Sequence, residues 1–215
     1  MIDALILDYG GVVRHEDPAD YDDAGHLLGL ASGRLWSLIR SLPEYLPSRI
    51  GQLSEEQFEE AVHAHLRDLA GPGAADAALA RLRAYYRAQA PIRDIMRPLL
   101  GSLKGRVRLA LLSNAARGST IRFEQKGLLD YFDAIFCSGD LGMAKPDPDV
   151  FRVAARRLAV PIARCAFVDD VEENVAAARE LGMHALVYHH SRHEELVEAI
   201  RRWRLLQENV NDADG

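Results

Sequence analysis

Cysteine, long apolar runs and an excess of basic charge are what this sequence lacks. Two cysteines occur in 215 residues, Cys137 and Cys165, each inside an apolar stretch. That count excludes a disulfide-framed scaffold and a thiolate metal site, and it predicts two buried, reduced thiols. No apolar run approaches the roughly 20 residues a membrane-spanning helix needs, so no membrane partner is expected. Acidic residues outnumber basic ones, giving a formal net charge of -6, and no nucleic-acid partner is expected from that balance. No basic segment, apolar core and cleavage site follow Met1, which makes cytoplasm the expected location. Internal repeats and low-complexity segments are missing as well.

What is present starts with Ala4-Leu5-Ile6-Leu7-Asp8-Tyr9-Gly10-Gly11-Val12-Val13. An apolar run that ends on a carboxylate and two glycines reads as a strand buried on both faces, with a sharp turn at its tip. From about residue 17 to residue 90 the pattern becomes helical with no credible strand. Leu35, Leu38, Ile39 and Leu42 recur at helical spacing, and Ser54 to Gln57 forms a capping box before the Phe58, Val62, Leu66 face. His63 and His65 are two residues apart, cannot share a helix face, and are assigned no metal.

Beyond Ile92 helices and strands alternate, the signature of crossover units and a parallel sheet. The expected strands are residues 107–112, 134–137, 165–168 and 184–188. Helices are expected over 92–103, with Pro98 kinking or splitting the first, then over 118–126, after Asp147-Pro148, through Asn174 to Leu181, and over 193–207. Ser138 to Gly142 reads as a loop. The division is therefore an α/β core from residues 1–13 and 91–208, an all-helical insertion over 14–90, and a polar, frayed tail at 209–215.

Four strand ends then carry polar residues of complementary kinds: Asp8, Ser113 with Asn114, Lys145 shortly after the third strand, and Asp169-Asp170. In a parallel sheet these ends lie along one edge. Three carboxylates there call for a hard cation, and Mg2+, bound by one or two carboxylates plus phosphate oxygens, meets that need. The Ser113 hydroxyl and the Asn114 N–H suit phosphate oxygens, and Lys145 suits a transferring phosphoryl group. Asp8 is then a candidate nucleophile, splitting one displacement into two through an aspartyl phosphate.

With these motifs in order (Leu7-Asp8-Tyr9-Gly10-Gly11-Val12, Leu112-Ser113-Asn114, Gly142-Met143-Ala144-Lys145-Pro146 and Phe167-Val168-Asp169-Asp170), the chain resembles the haloacid dehalogenase superfamily over nearly its whole length. It is most similar to the phosphatase-type members with a helical cap. The resemblance implies a Rossmann-like core with residues 14–90 as the cap. It also implies Asp8 as nucleophile, Ser113 on the phosphate, Lys145 steadying both, and Mg2+ held by Asp8, the Gly10 carbonyl and Asp170, with Asp169 binding directly or through water. The substrate it implies is a small phosphorylated metabolite such as a sugar phosphate.

One departure stands out. Phosphatases of the family carry an aspartate two residues past the nucleophile as acid/base, and here that residue is Gly10. A positioned acid/base contributes roughly a hundred- to ten-thousandfold, so a stand-in matters; His15 and Glu16 are the nearby candidates. Two alternatives accompany the phosphatase. One is a metal-independent 2-haloacid dehalogenase, in which Arg40, followed by Tyr45, corresponds to the family's cap arginine. The other is a catalytically impaired phosphate- or partner-binding protein, motivated by Gly10. Arg40, Tyr45 and Arg49 are candidate substrate contacts.

Overall fold

The computed structural model describes residues 1–88 and 90–206; the expected tail at 209–215 lies outside them. Five parallel strands form one sheet: β1 (Ala4–Leu7), β2 (Arg108–Ser113), β3 (Ala134–Cys137), β4 (Cys165–Asp169) and β5 (His184–Val187). Their order is β3-β2-β1-β4-β5. The apolar runs become strands because each is covered twice, and the side chains alternate between the two covers. Leu5, Leu7, Leu109 and Leu111 face one cluster, and Ala4, Ile6, Ala110 and Leu112 face the other. Every residue of β1 is buried.

Register decides where the polar ends fall. Leu7 pairs with Leu111 on one side and Val168 on the other, and Ser113 pairs with Cys137. Asp8, Ser113 and Asp169 therefore leave the sheet at one edge. β1 is also where the order reverses, with β2 on one side and β4 on the other, and such a switch point opens a crevice at the carboxyl ends of the strands. This is a Rossmann-like α/β sheet, as expected.

Five helices occupy the insertion: α1 (Asp22–Leu27), α2 (Arg34–Ser41), α3 (Tyr45–Arg49), α4 (Glu55–Ala70) and α5 (Pro72–Ala88). They bury a cluster of their own that includes Tyr21, Leu35, Phe58, Val62, Leu66 and Leu82. Ser54 and Gln57 form the expected capping box. The break after α4 is a single residue, Gly71 at φ 81, because Pro72 already starts α5. The block is tied to the sheet by the Ser138 hydroxyl, which donates to the Arg49 carbonyl at 2.5 Å, and by the Arg122–Glu55 ion pair.

The sheet's own helices are α6 (Met96–Leu103), α7 (Ser119–Gln125), α8 (Ser138–Leu141), α9 (Pro148–Arg157), α10 (Glu172–Glu180) and α11 (His193–Arg202). Three expectations change. Residues 92–95 stay outside α6, so Pro98 falls in its first turn, where its missing N–H breaks no helical bond. Ser138 to Leu141 is a helical turn rather than a loop. The last helix closes at Arg202, and Gln207 lies outside the described residues. Cys137 and Cys165 are buried and free. Among the described residues no helix is long and apolar enough to cross a membrane.

Candidate active site

Lys145 is the hub of the sheet edge. Its ammonium is buried and donates to Asp8 Oδ1 at 2.5 Å, to Asp169 Oδ2 at 2.6 Å and to the Leu112 carbonyl at 2.9 Å. All three of its protons are thus engaged. Asn114 sets its position: the amide Nδ2 donates to the Lys145 carbonyl at 2.8 Å, and the Lys145 N–H donates to Asn114 Oδ1 at 2.9 Å. The sequence pointed to the backbone N–H of Asn114; its side chain is a clamp on the lysine.

Asp169 is fully buried. Besides Lys145 it accepts from the Val171 N–H at 2.9 Å and from Asn174 Nδ2 at 3.0 Å. Asn174, missed as a site residue in the sequence, projects from the first turns of α10. Its only sequence signal is an amide on an otherwise apolar helix face five residues beyond Asp169. Asp170 lies at the open side of the cleft, its carboxylate packed against Gly11. A side chain at Gly11 would collide with that carboxylate, and φ there is 80°, so this glycine serves close approach and turn together.

One oxygen from each of Asp8, Asp169 and Asp170 lies within 4.8 Å of the others. Three carboxylates face one ammonium, and the imbalance shows in Asp8 and Asp170. Burial, reinforced by Asp169 and Asp170, pushes the Asp8 carboxyl up to about 8 against the pull of Lys145. Asp170 is likewise raised, by desolvation and then by Asp169. Burial alone would lower the Lys145 ammonium, but Asp169 and Asp8 outweigh it and the pKa is raised. An all-oxygen donor set with a surplus of negative charge fits a hard divalent cation.

The two candidates for the missing acid/base separate cleanly. Past β1 the chain makes a tight turn, in which the Arg14 N–H donates to the Tyr9 carbonyl at 2.7 Å, and the following residues return over Gly10. Glu16 fills the space beside Gly10: a Cβ added there would collide with Glu16 Oε2. Arg14 Nη2 donates to that oxygen at 2.6 Å, and the Tyr21 hydroxyl donates to Oε1 at 2.9 Å. Tyr21 is brought back by the 3-10 turn Pro18–Tyr21, capped by Asp17. His15 instead turns to Asp20, 3.1 Å away. It is not part of the cleft wall, because its ring is taken by that carboxylate.

The cleft, about 180 Å³, is lined by Asp8, Gly10, Ser113, Lys145 and the Asp169-Asp170 pair from the sheet edge. Glu16, Arg40 and Tyr45 close it from above. Arg40 stacks on the rings of Trp36 and Tyr45, 5.2 and 5.6 Å from their centroids. A second cavity of about 370 Å³ adjoins it between the helical block and the sheet, sharing Glu16, Trp36, Arg40, Tyr45, Ser113 and Asn114 as walls. Arg49 lines this second cavity and not the cleft.

Comparison with known proteins agrees with this geometry. Drimenol cyclase drtB of Aspergillus calidoustus is 30% identical over 192 residues, covering 88% of this chain and 34% of that protein. The fructose-1-phosphate phosphatase YqaB of Escherichia coli is 37% identical over 60 residues, covering 28% of this chain and 32% of that protein. The chain thus spans about a third of the length of the first curated relatives it matches. A haloacid dehalogenase family enzyme of Bacteroides thetaiotaomicron, solved with magnesium and inorganic phosphate, superposes with a TM-score of 0.65 at 20% identity. That match covers 90% of this chain and 99% of the other. Solved dehalogenases share the fold as well. The family model for haloacid dehalogenase-like hydrolases matches residues 2–182, and the chain belongs to that family.

Proposed function

We propose that this protein is a Mg2+-dependent phosphate-monoester hydrolase working through an aspartyl phosphate on Asp8. The observation that carries the proposal is the charge imbalance at the sheet edge, where three carboxylates share the single ammonium of Lys145. Asp8, the Gly10 carbonyl and Asp170 would hold the metal. Asp169 is already committed to Lys145, Val171 and Asn174; it orients the lysine and would support the metal from outside that set. When bound, the cation neutralises the carboxylates and the phosphate oxygens so that anion can approach anion.

Asp8 attacks phosphorus while Lys145 holds its other charge in place. The Ser113 hydroxyl and the Asn114 N–H bind the phosphoryl oxygens. Glu16, held by Arg14 and Tyr21 beside Gly10, relays a proton taken up from water to the departing alkoxide. As the carboxylate it then takes a proton from the water that cleaves the aspartyl phosphate, and inorganic phosphate leaves. The helical block over residues 14–90 acts as the cap: it supplies Glu16, Arg40 and Tyr45 and excludes bulk water. A side-chain carboxylate in the space beside Gly10 favours an enzyme over an impaired binding module.

Arg40 and Tyr45 on the cleft wall favour one other reading, a metal-independent 2-haloacid dehalogenase with Arg40 on the carboxylate of its substrate. One experiment separates them. Phosphate release from a panel of phosphomonoesters is expected only with Mg2+, and Asp8→Asn is expected to lower it roughly ten-thousandfold or more. Halide release from a 2-haloacid in the presence of a chelator, with no phosphate release, overturns the phosphatase in favour of the dehalogenase.

A further inference from the structure

The larger cavity is a built chamber that the chemistry at Asp8 leaves unused. It adjoins the cleft through shared walls, with Glu16 at the junction, so the group that departs from phosphorus past Glu16 moves toward it. Its volume, about 370 Å³, lies in the range of small-molecule sites, roughly 300 to 1,000 Å³.

The wall chemistry narrows the occupant. Phe58, Val62, Leu79 and Leu82 form its apolar side, contributed by α4 and α5. These side chains offer no partner to a hydroxyl, and a hydroxyl desolvated against them loses its hydrogen bonds to water without replacement. The cations on the wall do not reverse this. Arg14, Arg83 and Arg122 are paired with Glu16, Glu59 and Glu55, and Lys126 leaves one wall cation without an ion-pair partner among the described residues, ready for a single acceptor atom of the ligand. Arg49 lies over the rings of Tyr45 and Phe58, 5.1 and 5.0 Å from their centroids, much as Arg40 lies over Trp36 and Tyr45. Guanidinium faces covered by rings leave only edges for hydrogen bonding. The chamber thus sets an apolar side from α4 and α5 beside a polar remainder of ion pairs, ring-stacked guanidiniums, Ser119 and Lys126.

Resting on the phosphatase reading, we propose that the substrate is the phosphate ester of a bulky, mainly hydrocarbon alcohol carrying at most a few acceptor atoms, with its hydrocarbon body seated in this chamber. A sugar phosphate, the sequence-based expectation, brings a hydroxyl on nearly every carbon and suits these walls poorly.

The test is a chain-length series. With Mg2+ present, kcat/KM is measured for methyl, butyl, octyl and decyl phosphate beside fructose 1-phosphate. It is expected to rise by roughly fourfold for each methylene that enters the chamber and to exceed the sugar ester by a hundredfold or more at decyl. Val62→Trp, which fills the chamber, is expected to flatten that rise. A flat series in the wild-type protein, or a sugar ester hydrolysed better than decyl phosphate, overturns the inference while leaving the phosphatase reading in place. If no phosphomonoester is hydrolysed, the phosphatase reading fails. The chamber is then judged by calorimetry with decylphosphonate: binding with a negative heat-capacity change supports an apolar site, and no binding removes it.

Discussion

The sheet edge and the chamber above it solve different problems with different materials. At the edge the atoms around the buried lysine are committed: the Lys145 ammonium has three acceptors, Asp169 has three donors, and Asn114 grips the lysine backbone from both sides. The chamber is lined by rings, aliphatic side chains, stacked guanidiniums and a few ion pairs, and three buried polar atoms of its lining residues have no partner among the described residues. A saturated network fixes atoms where charge must be placed. An unsaturated, apolar enclosure leaves its specificity to whatever fills it. On the proposed function, catalysis and substrate choice sit on separable parts of the molecule, so changes at the edge are expected to cost stability as well as rate, whereas changes in the chamber are expected to redirect substrate choice.

The sharpest way to break this contrast is Lys145→Ala. Removing the one cation strands Asp8 and Asp169 in a buried site, and breaking such a buried pair costs about 3–5 kcal/mol. Chemical denaturation is expected to show that loss, and phosphate release is expected to disappear together with it. An unchanged unfolding midpoint would mean that the edge is not the saturated network its distances describe.

Glu16 stands on the seam between the two regions. In single-turnover measurements of the first step, Glu16→Gln is expected to slow alcohol release from alkyl phosphates by roughly a hundred- to ten-thousandfold, and far less the release of p-nitrophenolate, which departs without a proton. Gly10→Asp alone is expected to fail, because its side chain meets Glu16 Oε2. Gly10 does not hold the left-handed conformation, so an aspartate is otherwise accommodated. Combining Gly10→Asp with Glu16→Ala is then expected to restore turnover lost in Glu16→Ala. Equal losses on both leaving groups, or no rescue, would assign Glu16 to anchoring Arg14 and Tyr21 instead.

The two regions also differ in how much of each was legible in the sequence. Asp8, Ser113 and Asp169-Asp170 were readable because a buried parallel strand announces itself as an apolar run, and the polar residues that close it must fall at the sheet edge; Lys145, beyond α8, was readable only as a lysine on the connection that leaves β3. Gly11 was readable as a turn, although its contact with Asp170 was not, since that depends on how β1 and β4 pair. Asn174 was hidden because a buried amide on a helix carries no spacing signal. Glu16 and His15 were indistinguishable as neighbours in sequence; only the return of the chain after Arg14 and the pull of Asp20 on His15 tell them apart. The chamber was least legible. Helical periodicity marked which faces of α4 and α5 are apolar, but not that Phe58, Val62, Leu79 and Leu82 line a hollow against the sheet, which depends on how the helices dock.

The smallest expected effect concerns the proton inventory of the edge. In metal-free protein the Asp8 carboxyl is raised to about 8 from an ordinary value near 3.8, chiefly by burial. Between those values the folded state holds a proton that the unfolded chain has released. Stability from this group is therefore complete below pH 4 and is lost progressively as pH rises toward 8. A divalent cation binds the ionised form, so it opposes that loss, and at about a hundred times its dissociation constant it contributes roughly 2.7 kcal/mol. Thermal unfolding measured with a chelator and with Mg2+ at pH 5 and pH 8 is expected to give a larger Mg2+-induced rise in Tm at pH 8. Asp8→Asn is expected to reduce that pH dependence without abolishing it, because the amide has no proton to lose while Asp170, likewise raised, still titrates. The chamber contributes no carboxylate of this kind, so Val62→Trp is expected to leave the Mg2+-induced shift and its pH dependence as they are. A variant in the chamber that changed them would show that the two regions are energetically one.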